Sequence, residues 1–135
     1  MTPLFVDTSG WIALMNRSDA LHAAATAVYQ ERFAAGRHFV THTGVRLEVG
    51  NGLSLVRLRH LAIKLKSRLE ASARIDVIHI TDDLYERGWE MYAARPDKDW
   101  GIIDCISFVI MQDYGLIEAL TADHHFEQAG FIRLL

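Results

Sequence analysis

The 135-residue sequence has one cysteine, two prolines and no long apolar run, and each shortage excludes a class of protein. Cys105 has no partner in the chain, so no internal disulfide can form and nothing indicates secretion. No stretch approaches the ~20 apolar residues that a membrane-spanning helix needs. The N-terminus lacks the basic segment of a signal peptide, because the apolar residues 4–6 are followed at once by Asp7. We therefore expect a cytoplasmic protein with no membrane segment.

The overall composition is that of a folded globular protein. Half of the residues are hydrophobic and 23% are charged, which excludes a disordered chain. A chain of 135 residues is long enough for one substantial core and short for two. We therefore predict a single domain that spans residues 1–135.

The net charge of −3 conceals an uneven distribution of charge along the chain. Residues 56–74 carry six basic residues against one acid, and residues 76–104 carry eight acids against three basic residues. A basic segment can contact phosphates and an acidic segment can bind a metal ion. Two solvated helix faces would show the same charges, so this distribution alone does not decide between the two explanations.

Short apolar runs alternate along the chain with segments of helical periodicity. Strands are predicted at residues 4–6, 38–41, 75–80, 119–121 and 131–134. Helices are predicted at residues 11–15, 20–35, from 43 or 44 onward, 53–73, 81–95, 103–114 and 123–129. This alternation is typical of an α/β protein with a mainly parallel central sheet covered by helices on both faces. In such folds the ligand site lies beyond the carboxyl ends of the strands.

Four acidic residues fall directly after predicted strands or early in the segments that follow: Asp7, Glu48, Asp104 and Asp123. Taken singly, Asp7 has an ordinary explanation as a helix cap, and Asp104 and Asp123 have one as acids near a helix start. Glu48 lies in an apolar stretch, where a buried glutamate without a partner is costly, so a ligand or a pocket is expected beside it. If the sheet is wound as predicted, all four side chains converge on one edge.

A cluster of carboxylates favours a hard divalent cation, because the like charges otherwise raise one another's pKa. A ligand set of oxygen atoms alone suits Mg²⁺ or Mn²⁺. Such an ion polarises a phosphoryl oxygen and makes water a better nucleophile, which is the chemistry of phosphodiester hydrolysis. The chain also lacks the Gly-x-x-x-x-Gly-Lys-Ser/Thr and Gly-x-Gly-x-x-Gly loops of the common nucleotide-binding folds.

The residues around these acids resemble the PIN-domain family in order and spacing. The similar segments are 5–9, 46–51, 97–108 and 120–126, and the likeness runs from Leu4 to Phe131. It is strongest to small bacterial stand-alone members, the VapC-type toxins of toxin–antitoxin pairs. The resemblance implies a three-layer α/β/α sandwich and an Mg²⁺- or Mn²⁺-dependent endoribonuclease.

The resemblance also implies roles for particular residues. The carboxylate site would consist of Asp7, Glu48, Asp104 and Asp123, as catalytic residues and metal ligands. Asp7 and Asp104 are the surest of these ligands. Asp97 is a supplementary candidate, because it begins a loop motif found in one branch of the family, and Asp99 ranks below it. Three residues close in sequence to these acids carry hydroxyl groups, which are expected to orient the carboxylates or a metal-bound water without binding the metal: Thr8, Ser9 and Thr121.

The partners that the resemblance implies are an RNA substrate, a cognate antitoxin whose tail occupies the groove, and a second copy of the chain. The basic stretch at residues 57–68 is expected to contact the RNA backbone or to lie beside the groove. No motif specifies which RNA is cut, and the same carboxylates serve sites with one or two metal ions.

Two other functions are consistent with the same fold. A non-cleaving module could hold RNA or a protein, but such a scaffold has no need of a repulsive acidic cluster. A DNA-directed nuclease could share the acidic site, but the chain is short and has no evident additional segment to clamp such a substrate. His124 and His125 directly follow Asp123, so one of them could approach the site. They match no zinc motif, and surface or capping positions are the favoured prediction for them.

Overall fold

The computed structural model describes residues 1–135 as five strands and seven helices. The strands are β1 (Leu4–Val6), β2 (Phe39–His42), β3 (Ile75–Ile78), β4 (Glu118–Leu120) and β5 (Ile132–Arg133). The helices are α1 (Thr8–Met15), α2 (His22–Ala34), α3 (Thr43–Gly52), α4 (Arg59–Ala71), α5 (Asp82–Ala94), α6 (Ile102–Asp113) and α7 (His125–Gln128). None of the seven helices combines the length and the apolar character needed to cross a bilayer.

All five strands belong to one sheet, in which every neighbouring pair is parallel and the order is β3-β2-β1-β4-β5. The chain builds this sheet outward from β1 through β2 to β3, and then returns to place β4 on the other side of β1. The direction of winding therefore reverses between β1 and β4. In open α/β sheets this point of reversal, at the carboxyl ends of the strands, is where ligands bind.

The helices fall into two groups by their contacts. Helix α1 contacts α2, α3 and α4, whereas α5 packs along α6, which also contacts α7. Because crossovers between parallel strands are right-handed, helices that follow β1 and β2 and helices that follow β3 cover opposite faces of the sheet. The prediction of a three-layer α/β/α sandwich with a parallel central sheet is confirmed.

Strand β1 and helix α6 form the centre of the core. All three residues of β1 are fully buried, and so are seven consecutive residues of α6, from Cys105 to Met111. Ser107 is the polar member of that run, and its hydroxyl donates to the Ile103 carbonyl oxygen at 2.9 Å and contacts the buried His42 ring at 2.8 Å. The first turn of α6 is therefore fixed against the core.

Two segments differ from the elements predicted from the sequence. Residues 8–10, predicted as a turn, form the first turn of α1, so the helix begins directly after Asp7. Residues 53–58, predicted as helix, form turns, and α4 begins only at Arg59. Leu53 and Leu58 both pack on the core. In a continuous helix the two side chains would point in directions about 140° apart, so both could not face the core.

We predict that Gly10→Ala destabilises the fold. A Cβ atom at position 10 would overlap the backbone carbonyl oxygen of Leu120, because α1 lies directly on the end of β4. Backbone cannot move aside as a side chain can, so the free energy of unfolding should fall by about 1–3 kcal/mol in urea denaturation.

Gly50→Ala provides the matched control for this substitution. A Cβ atom there meets no heavy atom within 4 Å, and the residue is helical. Alanine should therefore stabilise the protein by about 0.5–1 kcal/mol through helix propensity. Equal urea midpoints for Gly10→Ala and the wild type would contradict the close packing of α1 on β4.

Candidate metal centre

Four acidic side chains meet at the point where the winding of the sheet reverses. Asp7 follows β1, Asp123 follows the end of β4, Asp104 lies in the first turn of α6 and Glu48 lies in α3. Each of the three aspartates offers an oxygen atom, and these oxygens lie within 4.8 Å of one another. Glu48 is exposed at the edge of this cluster, so the buried position expected for it is wrong. It is nevertheless close enough that the charges of Asp104 and Asp123 raise its pKa. The structure therefore brings the four predicted acids together.

Asp7 stands at the N-cap position of α1, but its side chain makes no capping hydrogen bond to the helix. Its Oδ2 accepts a hydrogen bond from the Thr121 hydroxyl at 3.1 Å, and its Oδ1 is buried without any partner. The residue is only 5% exposed. A buried carboxylate oxygen without a donor is costly, and a bound cation satisfies it. This orphaned oxygen fits a metal site and removes the explanation of Asp7 as a helix cap.

Asp104 and Asp123 follow the same arrangement, in which one oxygen is held by the protein and the other is free. Asp104 Oδ2 accepts from the backbone N–H of Gly101, which precedes α6, at 3.1 Å. Asp123 Oδ1 accepts from the backbone N–H of His125 at 2.9 Å. Asp104 Oδ1 and Asp123 Oδ2 make no hydrogen bond within the protein. Local capping thus accounts for one oxygen of each residue and leaves the other available to a cation.

The three hydroxyl residues predicted from the sequence form a hydrogen-bond network beside these carboxylates. Thr8 Oγ1 donates to Glu48 Oε1 at 2.6 Å, which ties the start of α1 to α3. Ser9 Oγ lies 3.1 Å from Thr121 Oγ1 and accepts the backbone N–H of Ala122 at 2.9 Å. The Thr121 hydroxyl therefore connects Asp7 to the loop that carries Asp123. This network links the chain segments that follow β1 and β4.

The pKa of Asp7 is raised to about 7, mainly by burial and also by the charges of Asp104 and Glu48. The backbone N–H of Thr8 and the Thr121 hydroxyl act in the opposite direction. Burial is also the main reason why the pKa values of Glu48 and Asp104 lie above the ordinary range, and the charge of Asp123 adds to both. Mutual repulsion in a partly desolvated site is relieved by a divalent cation, and oxygen-only donors suit Mg²⁺ or Mn²⁺. The four side chains therefore fit the metal that the sequence predicts.

The structure does not bring Asp97 or Asp99 into this cluster. Asp97 is exposed, and its two oxygens accept hydrogen bonds from the Arg95 guanidinium at 3.0 and 3.1 Å. That bond to Arg95 holds the pKa of Asp97 below its usual value. Asp99 is exposed on the same loop. A role for either residue at the site stays a prediction that no contact in the fold supports.

His125 lies inside the site, where the sequence predicted a surface or capping position. Its Nδ1 lies 3.2 Å from Asp104 Oδ2 and 3.2 Å from Asp123 Oδ1, and its side chain is 18% exposed. The neighbouring His124 is 64% exposed, as predicted. The only sequence signal for His125 was its position two residues after Asp123, because which ring turns inward depends on how the loop after β4 folds.

We predict that Asp7→Asn stabilises the metal-free protein at high pH. The pKa of Asp7 rises from its ordinary 3.8 to about 7 in the fold, so the ionised carboxylate destabilises the fold progressively as the pH rises from about 4 to 7. In EDTA at pH 8 the substitution should raise the free energy of unfolding by ~2–4 kcal/mol, whereas near pH 4 it should have little effect. Urea denaturation at the two pH values measures both.

The control for this prediction is a carboxylate whose shift has the opposite sign. Arg87 hydrogen-bonds to Asp113 and lowers its pKa, so Asp113→Asn should reduce stability at pH 8. An Asp7→Asn protein that is no more stable than the wild type at pH 8 would show that the site tolerates the charge without a metal.

Comparisons with known proteins agree with this geometry. Residues 4–132 match the PIN domain. The 23S rRNA-specific endonuclease VapC20 of Mycobacterium tuberculosis is 32% identical over 133 residues, which are 97% of each chain. The crystal structure of M. tuberculosis VapC20, described as a sarcin-ricin loop cleaving toxin, has a TM-score of 0.84 at 29% identity and covers 96% of each chain. VapBC2 from Rickettsia felis, bound to a promoter DNA fragment, shares the fold with a TM-score of 0.70 at 13% identity over 96% of each chain. The chain belongs to the PIN domain family.

Proposed function

We propose that this protein is a metal-dependent endoribonuclease that hydrolyses RNA phosphodiester bonds as the toxin of a toxin–antitoxin pair. The observation that supports this most strongly is the trio of aspartates with one free oxygen each, among them the buried, unpartnered Oδ1 of Asp7. The relative that is 32% identical over nearly the whole chain is named as a ribosomal RNA endonuclease. The proposal covers residues 1–135 as one domain acting in the cytoplasm.

In this proposal the metal ligands are Asp7, Asp104 and Asp123, and the ion is Mg²⁺ or Mn²⁺. A cation held by these three aspartates would polarise a phosphoryl oxygen and lower the pKa of water. Glu48, which Thr8 holds through Oε1, has its second carboxylate oxygen free to accept a proton from the attacking water. Hydrolysis adds the water oxygen to phosphorus and breaks the bond to the leaving oxygen. The leaving oxygen takes a proton from bulk water, and Glu48 releases its proton to solvent.

Because VapC20 is a 23S rRNA-specific endonuclease, 23S rRNA is the first substrate to test for this chain. Ribosomes and protein-free 23S rRNA, incubated with the protein in Mg²⁺, Mn²⁺ or EDTA, separate cleavage of the assembled particle from cleavage of the bare RNA. Matched RNA and DNA oligonucleotides of one sequence test the class of nucleic acid. Equal cleavage of the DNA would favour a DNA-directed nuclease instead.

We predict that Asp104→Asn lowers RNA cleavage about 100-fold or more while the fold is retained. The substitution removes a charged oxygen ligand and keeps the side-chain shape, and circular dichroism checks the fold. Asp97→Asn is the matched control, because that carboxylate lies on the neighbouring loop and pairs with Arg95. Its cleavage rate should stay within about twofold of the wild type.

Two results would contradict this part of the proposal. If Asp104→Asn cleaves RNA at the wild-type rate in Mn²⁺, the cleaving site lies elsewhere. If the wild type binds no Mg²⁺ or Mn²⁺ at millimolar concentration in calorimetry and cleaves nothing, the chain is a PIN-fold binding module that does not cut.

The partner of the proposed toxin is a cognate antitoxin. A groove of about 940 Å³ runs between α1, α2 and α4. Its walls include the apolar side chains of Trp11, Leu14 and Leu65, and its basic members include Lys64 and Arg68. An apolar groove with a basic rim suits an amphipathic segment with acidic flanks. Lys64 and Arg68 of the basic stretch at residues 57–68 line this groove, and none of the four acids does. The expected contact of that stretch with the RNA backbone stays a prediction.

We predict that charge reversal at the groove weakens antitoxin binding. Lys64→Glu with Arg68→Glu should raise the Kd for the small protein encoded next to this chain about 10-fold or more at low salt. Arg57→Glu is the control, because Arg57 is exposed and does not line the groove. A shift that is equal for the control and the double variant would place the antitoxin on another surface.

We also retain the expected homodimer as part of the proposal. Helix α5 exposes an aromatic edge formed by Tyr85, Trp89 and Tyr92, whose rings contact one another in edge-to-face geometry. Exposed aromatic side chains of this kind are enriched at protein interfaces. A monomer mass for the wild type in sedimentation at micromolar concentration would contradict the dimer.

A further inference from the structure

We propose that His125 is a positioning residue that clamps Asp104 and Asp123 so that each presents its free oxygen to the cation. The inference rests on the metal site of the proposed function and adds a residue outside the four acids. Histidine is not among the expected ligands of an Mg²⁺ site, and the contacts of His125 show how it acts without binding the metal itself.

One nitrogen atom of the ring contacts two carboxylates that come from different elements. His125 Nδ1 lies 3.2 Å from Asp104 Oδ2 in the first turn of α6 and 3.2 Å from Asp123 Oδ1 in the loop after β4. Ionised carboxylate oxygens only accept hydrogen bonds, so Nδ1 carries the proton and donates it to Asp104 Oδ2, while Asp123 Oδ1 lies at ion-pair distance from the same nitrogen. The imidazole is therefore a bridge between the two acids.

The oxygens that His125 contacts are the ones that backbone amides already hold. Asp104 Oδ2 also accepts from Gly101 N–H, and Asp123 Oδ1 also accepts from the N–H of His125 itself. Two donors fix the rotation of the Asp104 carboxylate, whereas one backbone donor and the close imidazole ring fix that of Asp123. Asp104 Oδ1 and Asp123 Oδ2 are left without protein partners. The hydroxyl of Thr121 does the same for Asp7, whose Oδ1 is left free. A ligand role for His125 Nδ1 would require the cation at the oxygens that are already occupied.

The position of the ring is set by the core. Phe126, the next residue, is fully buried and packs on Phe5 of β1 at 6.1 Å and on Phe108 of α6 at 4.9 Å between ring centroids. These two elements lead to Asp7 and carry Asp104. The backbone of His125 is therefore anchored to the same frame as the ligands, which is what a positioning residue needs.

The consequence of losing the bridge is a weaker metal site in a protein that still folds. Without the imidazole of His125, the carboxylates of Asp104 and Asp123 rotate and repel each other. Side chains that hold metal ligands in position typically contribute 10–100-fold to metal affinity. Asparagine at position 125 places an amide N–H near the position of Nδ1, so it can restore the bridge. Alanine cannot.

The experiment measures Mn²⁺ affinity by calorimetry and by electron paramagnetic resonance on the full chain. We expect His125→Ala to raise the Kd about 10-fold or more, and His125→Asn to recover most of that loss. His124→Ala is the matched control, because that exposed ring lies 3.8 Å from Asp123 Oδ1, beyond hydrogen-bond distance. Its Kd should stay within about twofold of the wild type. Saturating Mn²⁺ should restore RNA cleavage by His125→Ala in large part.

Each other outcome overturns a defined statement. If wild-type protein binds no Mn²⁺, the metal site of the proposed function fails and the inference fails with it. If the wild type binds and His125→Ala binds equally well, or His125→Asn is as weak as alanine, only the inference about His125 fails. A directly coordinated nitrogen in the wild-type Mn²⁺ spectrum, lost in His125→Ala, would make His125 a ligand and overturn its positioning role.

Discussion

The repulsion among carboxylates at the carboxyl ends of β1 and β4 is the constraint on which the rest of the site depends. Asp7 is almost completely buried, its Oδ1 has no donor, and its pKa is raised to about 7 by burial and by the acids beside it. A fold does not gain stability from such a group. A divalent cation bound beside Asp7 would neutralise this charge and remove its cost.

The protein prepares the site by holding one oxygen of each aspartate and leaving the other free. A hydroxyl holds Asp7, a helix-initiating amide holds Asp104, and a turn amide holds Asp123. The donors to Asp104 and Asp123 are local in sequence, whereas the donor to Asp7 lies 114 residues away. The three held aspartates therefore meet only when β1, β4 and α6 are packed together. The core that packs them is also the least exposed part of the molecule: β1 and seven consecutive residues of α6 are buried.

The two faces of the sandwich carry different parts of the function that we propose for the protein, namely partner binding and the acidic site. Helices α1, α2 and α4 form an apolar groove with basic side chains, whereas α6 and α7 bring Asp104 and His125 to the acidic site. Helix α1 takes part in both, because it starts beside Asp7 and its apolar side chains line the groove. A partner seated in the groove therefore lies against the helix that begins at the metal centre.

The sequence by itself determined the α/β class, the parallel sheet and the four acids, because these follow from periodicity and from the position of residues at strand ends. It also identified Thr8, Ser9 and Thr121 as hydroxyls near those acids. The tertiary structure alone decided which oxygen of Asp7 is free, because a hydrogen bond between residues 114 positions apart leaves no local pattern. It placed Asp97 in an ion pair with Arg95 and turned His125 inward, since a side chain's direction in a loop depends on what the loop packs against. The order of residues along the chain thus predicted the candidate ligands, and the packing of the elements determined their geometry.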